Sequence, residues 1–504
     1  MPSSLPDSLS RRTLFAVIAM GLSLLLAVAA VWFAGQENFS FSLGIATLTV
    51  ATLGTLAVGW RSGDLLSPLM LSAAFYLLAY VGGALYFWHN PANPQGNIAL
   101  TISHSELTDP VWLATAAWVT FIVGYLARPL RWLAGLIPKL PTAARHRSPW
   151  WVVLALLALG WPARLYQMAT GRYFHTAVSE MASTSTSWLV SVGSGLPLLA
   201  TAFLGAWSLR FRGSDRRSPP LWMFWALVAV ETLWYAPTGE RGAIVGLVLM
   251  LVVVSYYGKG VFPWRTTCVG ALILVLVVFP FGEAYRGDEP GELGAADPYQ
   301  LAPKQHFSQA IRRTFATTPQ RAISHGVDAT FSRFSDITSL GFIMAPDSPG
   351  SGRKPGETLL WSAEAFVPRV ILHHKVDPGA YGNEFGRRFG LVSASNYVVS
   401  VAATQPGDLY MNFGWLGVVL LMPLVGGAYR FIADYLDARS RDPAALAIYA
   451  VISWPLVSIH ENILAMGVLG VVKLMFMYCI VLAAVVTVWS PAGRPRGLGP
   501  ATGA

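Results

Sequence analysis

Residues 463–489 read ILAMGVLGVVKLMFMYCIVLAAVVTVW, with Lys473 the only charge. A helix that crosses a hydrocarbon core of roughly 30 Å needs about 20 apolar residues, and this run supplies them. Comparable runs lie near 13–34, 41–60, 65–88, 111–127, 150–169, 188–209, 221–236, 242–257, 267–282, 409–429 and 444–459. Together they predict about twelve spans. The expected fold class is all-α, a polytopic integral membrane protein with one long extracytoplasmic loop. A membrane β-barrel would show short alternating segments instead. Of 504 residues, 54% are hydrophobic and 12% charged, against about 25% charged in soluble domains.

The spans divide the chain into a membrane block at 1–282, a loop at 283–407, a second membrane block at 408–489 and a tail at 490–504. The two blocks hold about nine and about three helices. Placing Arg11 and Arg12 in the cytoplasm and alternating from there puts about 19 of the 35 Lys and Arg in cytoplasmic segments. Only Arg172 and Arg241 fall in short outer loops. Both termini are then cytoplasmic and the long loop lies outside. Ser10-Arg11-Arg12-Thr13-Leu14-Phe15 looks like a twin-arginine signal, but the run after it is too long for a signal core and further spans follow. Cys268 and Cys479 both fall inside spans, so neither staples the loop.

The formal charge of +9 sits in loops as an orientation signal and does not imply nucleic acid. The cytoplasmic connections are short, with no Gly-rich phosphate loop and no acidic metal cluster. No ATP-binding or nucleotide-sugar domain fits there, so any donor must already be attached to a membrane component. The loop is balanced in charge overall but acidic at its start and basic from Lys304 to Arg333. Ile323, Val327, Phe331, Phe334, Ile337 and Gly341 recur at helical spacing, which predicts an amphipathic helix over about 320–344 lying on the membrane or on the bundle. Residues 366–389 read as irregular.

Several constellations bear chemistry. Arg241 opens a helix after the tight turn Pro237-Thr238-Gly239-Glu240. A cation at the positive end of a helix is unfavourable unless an anion sits nearby, and free N–H groups with a guanidinium suit phosphate. Arg369, His373, His374 and Lys375 make a basic element in the loop able to clamp a diphosphate, and a solvated basic loop is the plainer alternative. Asp408 and Asn412 share one helix face at spacing i, i+4, as a helix cap or as partners for sugar hydroxyls, with Tyr410 as a stacking surface. His460 and Glu461, in the last outer turn, are candidate general bases. Arg164 and Glu231 lie within spans, where ionisable groups pair or line a cavity. Lys473 reads as deeper, with an internal ion pair.

Arg333-Phe334-Ser335, Gly356-Glu357-Thr358-Leu359, Val367-Pro368-Arg369, Lys375 and Asp408-Leu409-Tyr410-Met411-Asn412-Phe413-Gly414-Trp415-Leu416-Gly417 follow one another in an order that resembles the bacterial oligosaccharide repeat-unit polymerases, the O-antigen polymerase family. The close part spans roughly 328–427. The resemblance implies a membrane-embedded glycosyltransferase of the C type in the bacterial cytoplasmic (inner) membrane. The donor would be an oligosaccharide on a polyprenyl diphosphate, transferred with inversion at the outer face to a second lipid-linked unit. It implies no cofactor and no metal. Beyond membrane lipids, the partners it implies are a chain-length regulator and a flippase, with no nucleic acid. On that reading Arg241, Arg369, His460 and Glu461 are catalytic. Arg164, Glu231, Arg333, His373, Lys375, Asp408, Tyr410 and Asn412 bind substrate. The alternatives are an O-antigen ligase-type transferase, disfavoured by the Tyr410–Gly414 element, and a lipid-linked oligosaccharide flippase or other transporter, disfavoured by the lack of an internal repeat.

Overall fold

A computed structural model describes residues 39–89, 104–127, 129–141, 149–170, 173, 187–211, 220–238, 241–286, 308, 311–312, 314, 319–334, 336–345, 355–367, 381–391, 401–440, 442–464 and 467–488. The described residues form helices and connections, without a strand. The first predicted span, at 13–34, lies outside them, as do the loop start up to 307 apart from 283–286, and the tail.

The first membrane block begins with α1 (Phe39–Ser62), α2 (Pro68–His89), α3 (Glu106–Leu126) and the short α4 (Pro129–Leu136). It continues with α5 (Trp150–Ala169), α6 (Ser187–Arg210), α7 (Leu221–Tyr235), α8 (Arg241–Lys259) and α9 (264–286). The loop contributes α10 (Pro319–Arg333), α11 (Asp336–Met344), α12 (Glu357–Phe366) and α13 (Tyr381–Arg388). The second block is α14 (Gln405–Leu436), α15 (Pro443–Ser458) and α16 (Val468–Val488). Ten helices among the described residues are long and apolar enough to cross a membrane, so this is a multi-pass membrane protein by length and composition. The predicted span 221–236 is the exception, a helix of 15 residues.

The connections assigned to one side by their charges meet at one end of the bundle. Tyr256 donates to the Gly63 carbonyl at 2.6 Å, Tyr257 to Asp64 at 2.6 Å, and Tyr449 to the Leu66 carbonyl. Arg439 pairs with Asp64 at 2.8 Å, and Tyr435 donates to the Pro138 carbonyl at 3.1 Å. The connections assigned to the other side meet at the opposite end, where Thr404 N–H donates to the Glu461 carbonyl at 3.0 Å.

Lipid tails are as apolar as leucine, so helices in a membrane associate through close packing at small residues. α3 and α14 show this directly. A Cβ on Gly124 would lie 1.9 Å from the Pro423 carbonyl oxygen, and one on Gly426 would lie 2.0 Å from the Phe121 carbonyl oxygen. The two backbones touch, and only glycine fits at either position. Gly426→Leu is therefore expected to separate α3 from α14 and lower the melting temperature in detergent sharply, whereas Leu420→Ala, on the outward face at 65% exposure, is expected to change it little.

The loop departs from its sequence reading. The predicted single amphipathic helix over about 320–344 is two helices, α10 and α11, and the supposed stripe does not share a face. Ile323 and Val327 are exposed, whereas Phe334, Ile337 and Gly341 are buried. α11 carries Asp336 at its start and no charge after it, and it is apolar or hydroxylic all round. A helix without a polar face is buried, and α11 inserts against α3, α2 and α14. Within residues 366–389, read as irregular, the structure forms α13, whose Tyr381 and Phe385 are buried. Lys473 is exposed near the start of α16 instead of lying deep.

Candidate functional site

The predicted span at 409–429 begins earlier and is broken. α14 starts at Gln405, and Gly414 interrupts it at φ 65°, ψ −151°, a region essentially restricted to glycine. The chain thus enters as a short helix, turns at Gly414 and crosses as a second helix. Gly414→Ala is expected to cost about 1–3 kcal/mol in backbone strain and to misplace everything on residues 405–413, as a lowered melting temperature together with lost activity would show.

Thr404 caps the entering helix, accepting from Gly407 N–H at 3.1 Å. Its φ of 59° and ψ of 152° are outlying for a β-branched residue. Asp408, expected as a cap or a sugar ligand, does not cap the entering helix, and its carboxylate is bonded within the protein. It is fully buried; Oδ1 accepts from the Thr358 hydroxyl at 2.6 Å and Oδ2 from Leu464 N–H at 3.0 Å. Asn412 Nδ2 donates to the Asp408 carbonyl at 2.7 Å and also to the Thr358 hydroxyl. Asp408 therefore ties α12, α14 and the segment after α15 into one unit. Asp408→Ala leaves those donors unpaired and is expected to destabilise by about 1–3 kcal/mol per stranded group, measured by thermal unfolding in detergent. Beside it, Tyr381 stands 5.4 Å from the Trp361 ring. Burial, and next the Asp408 carboxylate, push the Tyr381 phenol well above its ordinary range. Tyr410 is half-buried, with its ring 6.4 Å from that of Trp415.

α15 ends in the turn Ile459–Glu461. His460 is fully buried, with Nε2 2.9 Å from the Ser72 hydroxyl. Its ring stacks on Phe75 at 5.5 Å and is flanked by Tyr76 at 5.3 Å, Phe121 at 5.7 Å and Tyr429 at 5.4 Å. This aromatic enclosure does not suit the expected general base. Glu461, the other candidate, is 5% exposed.

Arg241 is 5% exposed in the first turn of α8. Gly282 makes room for it, since a Cβ there would lie 2.1 Å from the Arg241 Nε. Gly242 and Gly246 seat α8 on the Trp454 ring of α15, which brings Arg241 to the same end of the bundle as His460 and Glu461.

Arg164 and Glu231, expected to bind substrate, satisfy each other. They form a two-pronged ion pair at 2.9 and 2.6 Å, both buried, and Arg164 Nε donates to the Ser194 carbonyl at 3.0 Å. The guanidinium also lies 4.9 Å from the Trp234 ring centre and 5.5 Å from that of Trp161. The pair joins α5, α6 and α7 and leaves little of either group for a ligand. Arg333 is the last residue of α10. Arg369, His373, His374 and Lys375 lie outside the described residues.

Sequence alone does not single out Thr358, Tyr80 or Gln405. Thr358 stood inside the quoted Gly-Glu-Thr-Leu element, and Gln405 directly precedes the Asp408–Gly417 motif. Tyr80 had no local signal, because it is marked only by the π-helical segment Leu77–Gly82, a feature frequent at functional sites. Among the described residues, no group of three or more His, Cys, Asp or Glu is placed to hold a metal ion. No protein-family model, no curated protein and no solved structure matches the chain.

Proposed function

We propose that the protein transfers an oligosaccharide from a polyprenyl diphosphate to a second lipid-linked unit, extending a surface polysaccharide at the outer face of the bacterial cytoplasmic membrane. One observation carries the reading. Arg241 is buried at the positive end of a helix, at the same end of an apolar bundle as the buried polar residues Thr358, Gln405, Asp408, Asn412 and Glu461. A substrate that is polar at one end and isoprenoid at the other fits such a rim. The order of motifs from Arg333 to Gly417 supports the choice among lipid-linked glycan enzymes.

In the transfer, an acceptor hydroxyl oxygen bonds to the anomeric carbon of the donor. The bond from that carbon to the diphosphate oxygen breaks, and the lipid diphosphate leaves with the electron pair. Arg241 neutralises the developing charge, as a preorganised cation does without reorganisation. Arg369 and Lys375 are the loop's candidates for the same task, and Glu461 takes the hydroxyl proton. Against a carrier stands the interior of α15. Residues 443–457 are apolar apart from Tyr449 and Ser453 and largely buried, and they offer no polar path.

The test is reconstitution. Purified protein in detergent, given lipid-linked repeat units, is expected to produce a ladder of products. A single product on a different acceptor lipid would move the assignment to a ligase, and lipid movement across vesicles without any product would move it to a transporter.

A further inference from the structure

Gln405 is the first residue of α14 and is fully buried. Neither its amide oxygen nor its amide nitrogen has a hydrogen-bond partner. Buried amides are normally paired, and an unpaired one requires an explanation. A simple packing role would be filled better by methionine or leucine, which carry no desolvation penalty.

Two further anomalies adjoin it. Thr404, the preceding residue, holds the strained backbone already described. The Tyr80 hydroxyl, in the π-helical segment of α2, is also fully buried; it meets the Thr404 side chain but makes no hydrogen bond of good geometry. A strained backbone, a π segment and orphaned hydrogen-bonding groups thus meet around one turn.

The chemistry of these groups limits the ligand. A carboxamide and a phenol each offer a donor and an acceptor but no charge. Asp408 lies one turn along α14 from Gln405, and Thr404 is bonded to the backbone of Glu461. With carboxylates this close, an anion is repelled, so the diphosphate belongs at Arg241 and not here. A hydroxyl group, itself both donor and acceptor, matches both the amide and the phenol.

We infer that Gln405 and Tyr80 form a subsite for the hydroxyl groups of a sugar ring, distinct from the diphosphate position at Arg241. This inference rests on the proposed function and names the glycan-recognising part of that site. The subsite is closed in this structure, so binding must open the turn at Thr404, whose strained backbone makes that turn the natural place to yield.

The test uses Gln405→Met, which keeps the volume and removes the amide, with Tyr80→Phe as a second variant. Because the amide is unpaired without ligand, the ligand-free melting temperature of Gln405→Met is expected to stay level or rise. In the ladder assay KM is expected to rise tenfold or more with kcat little changed, and Tyr80→Phe is expected to show a smaller rise. An unchanged KM in both variants overturns the inference, whatever the melting temperature. So does a fall of several degrees in ligand-free Gln405→Met, because the amide would then be bonded within the protein. If wild-type protein makes no ladder, the proposed function fails, and the subsite is judged separately by binding. The probe is then the free repeat-unit oligosaccharide released from lipid-linked material. Stabilisation of wild type that is lost in Gln405→Met supports the subsite, and equal stabilisation, or none in either protein, overturns it.

Discussion

Glu231→Leu is expected to destabilise the protein by about 3–5 kcal/mol, because it strands the Arg164 guanidinium in a buried site. Arg164→Met alone is expected to do comparable damage by stranding the carboxylate. The combined Arg164→Met, Glu231→Leu variant is expected to recover most of the loss, since apolar replacement of a whole buried pair is often neutral or stabilising. Melting curves in detergent measure all of these. If the pair is structural, as its two-pronged geometry indicates, the double variant keeps KM while the single variants lose folded protein. A double variant that folds normally but shows a large rise in KM would return both residues to the substrate site.

Arg241→Ala is expected to lower kcat by about 100-fold or more, the scale of removing one preorganised donor from a developing anion. Gly282→Ala provides a gentler version. The added methyl would meet the Arg241 Nε at 2.1 Å, so the guanidinium must shift although its charge stays. A misplacement of about 1 Å can cost on the order of 100-fold, so Gly282→Ala is expected to fall between wild type and Arg241→Ala. Single-turnover assays with saturating lipid-linked donor distinguish this from weaker binding.

The spans were legible because an apolar run of sufficient length leaves the backbone no choice in lipid. A helix satisfies its own N–H and C=O groups where no water can. Their grouping was legible too, for connections assigned to one side gather at a common end, as Asp64 with Arg439 and Thr404 with Glu461 show. The loop was less legible because helical spacing alone cannot reveal a break. The stripe from Ile323 to Gly341 ran through the end of α10 and into α11, which has no polar face to keep it at a surface. Asp408 illustrates the limit for single residues. Its place near a helix start was readable, but the earlier start at Gln405 was not; Thr358 lies 50 positions away in sequence, and only the fold shows what the carboxylate is bonded to. Arg164 and Glu231, 67 positions apart, were recognisable as costly in a membrane, yet the sequence left open whether each met the other or a ligand.

The most direct measurement is a structure of the full chain in lipid nanodiscs with a non-transferable polyprenyl diphosphate oligosaccharide bound. The account predicts diphosphate density in contact with the Arg241 guanidinium, the isoprenoid running outward between helices into lipid, and the sugar extending towards Gln405 and Glu461. Diphosphate density at the opposite end, near Asp64 and Arg439, or at a position out of reach of Arg241, would contradict it.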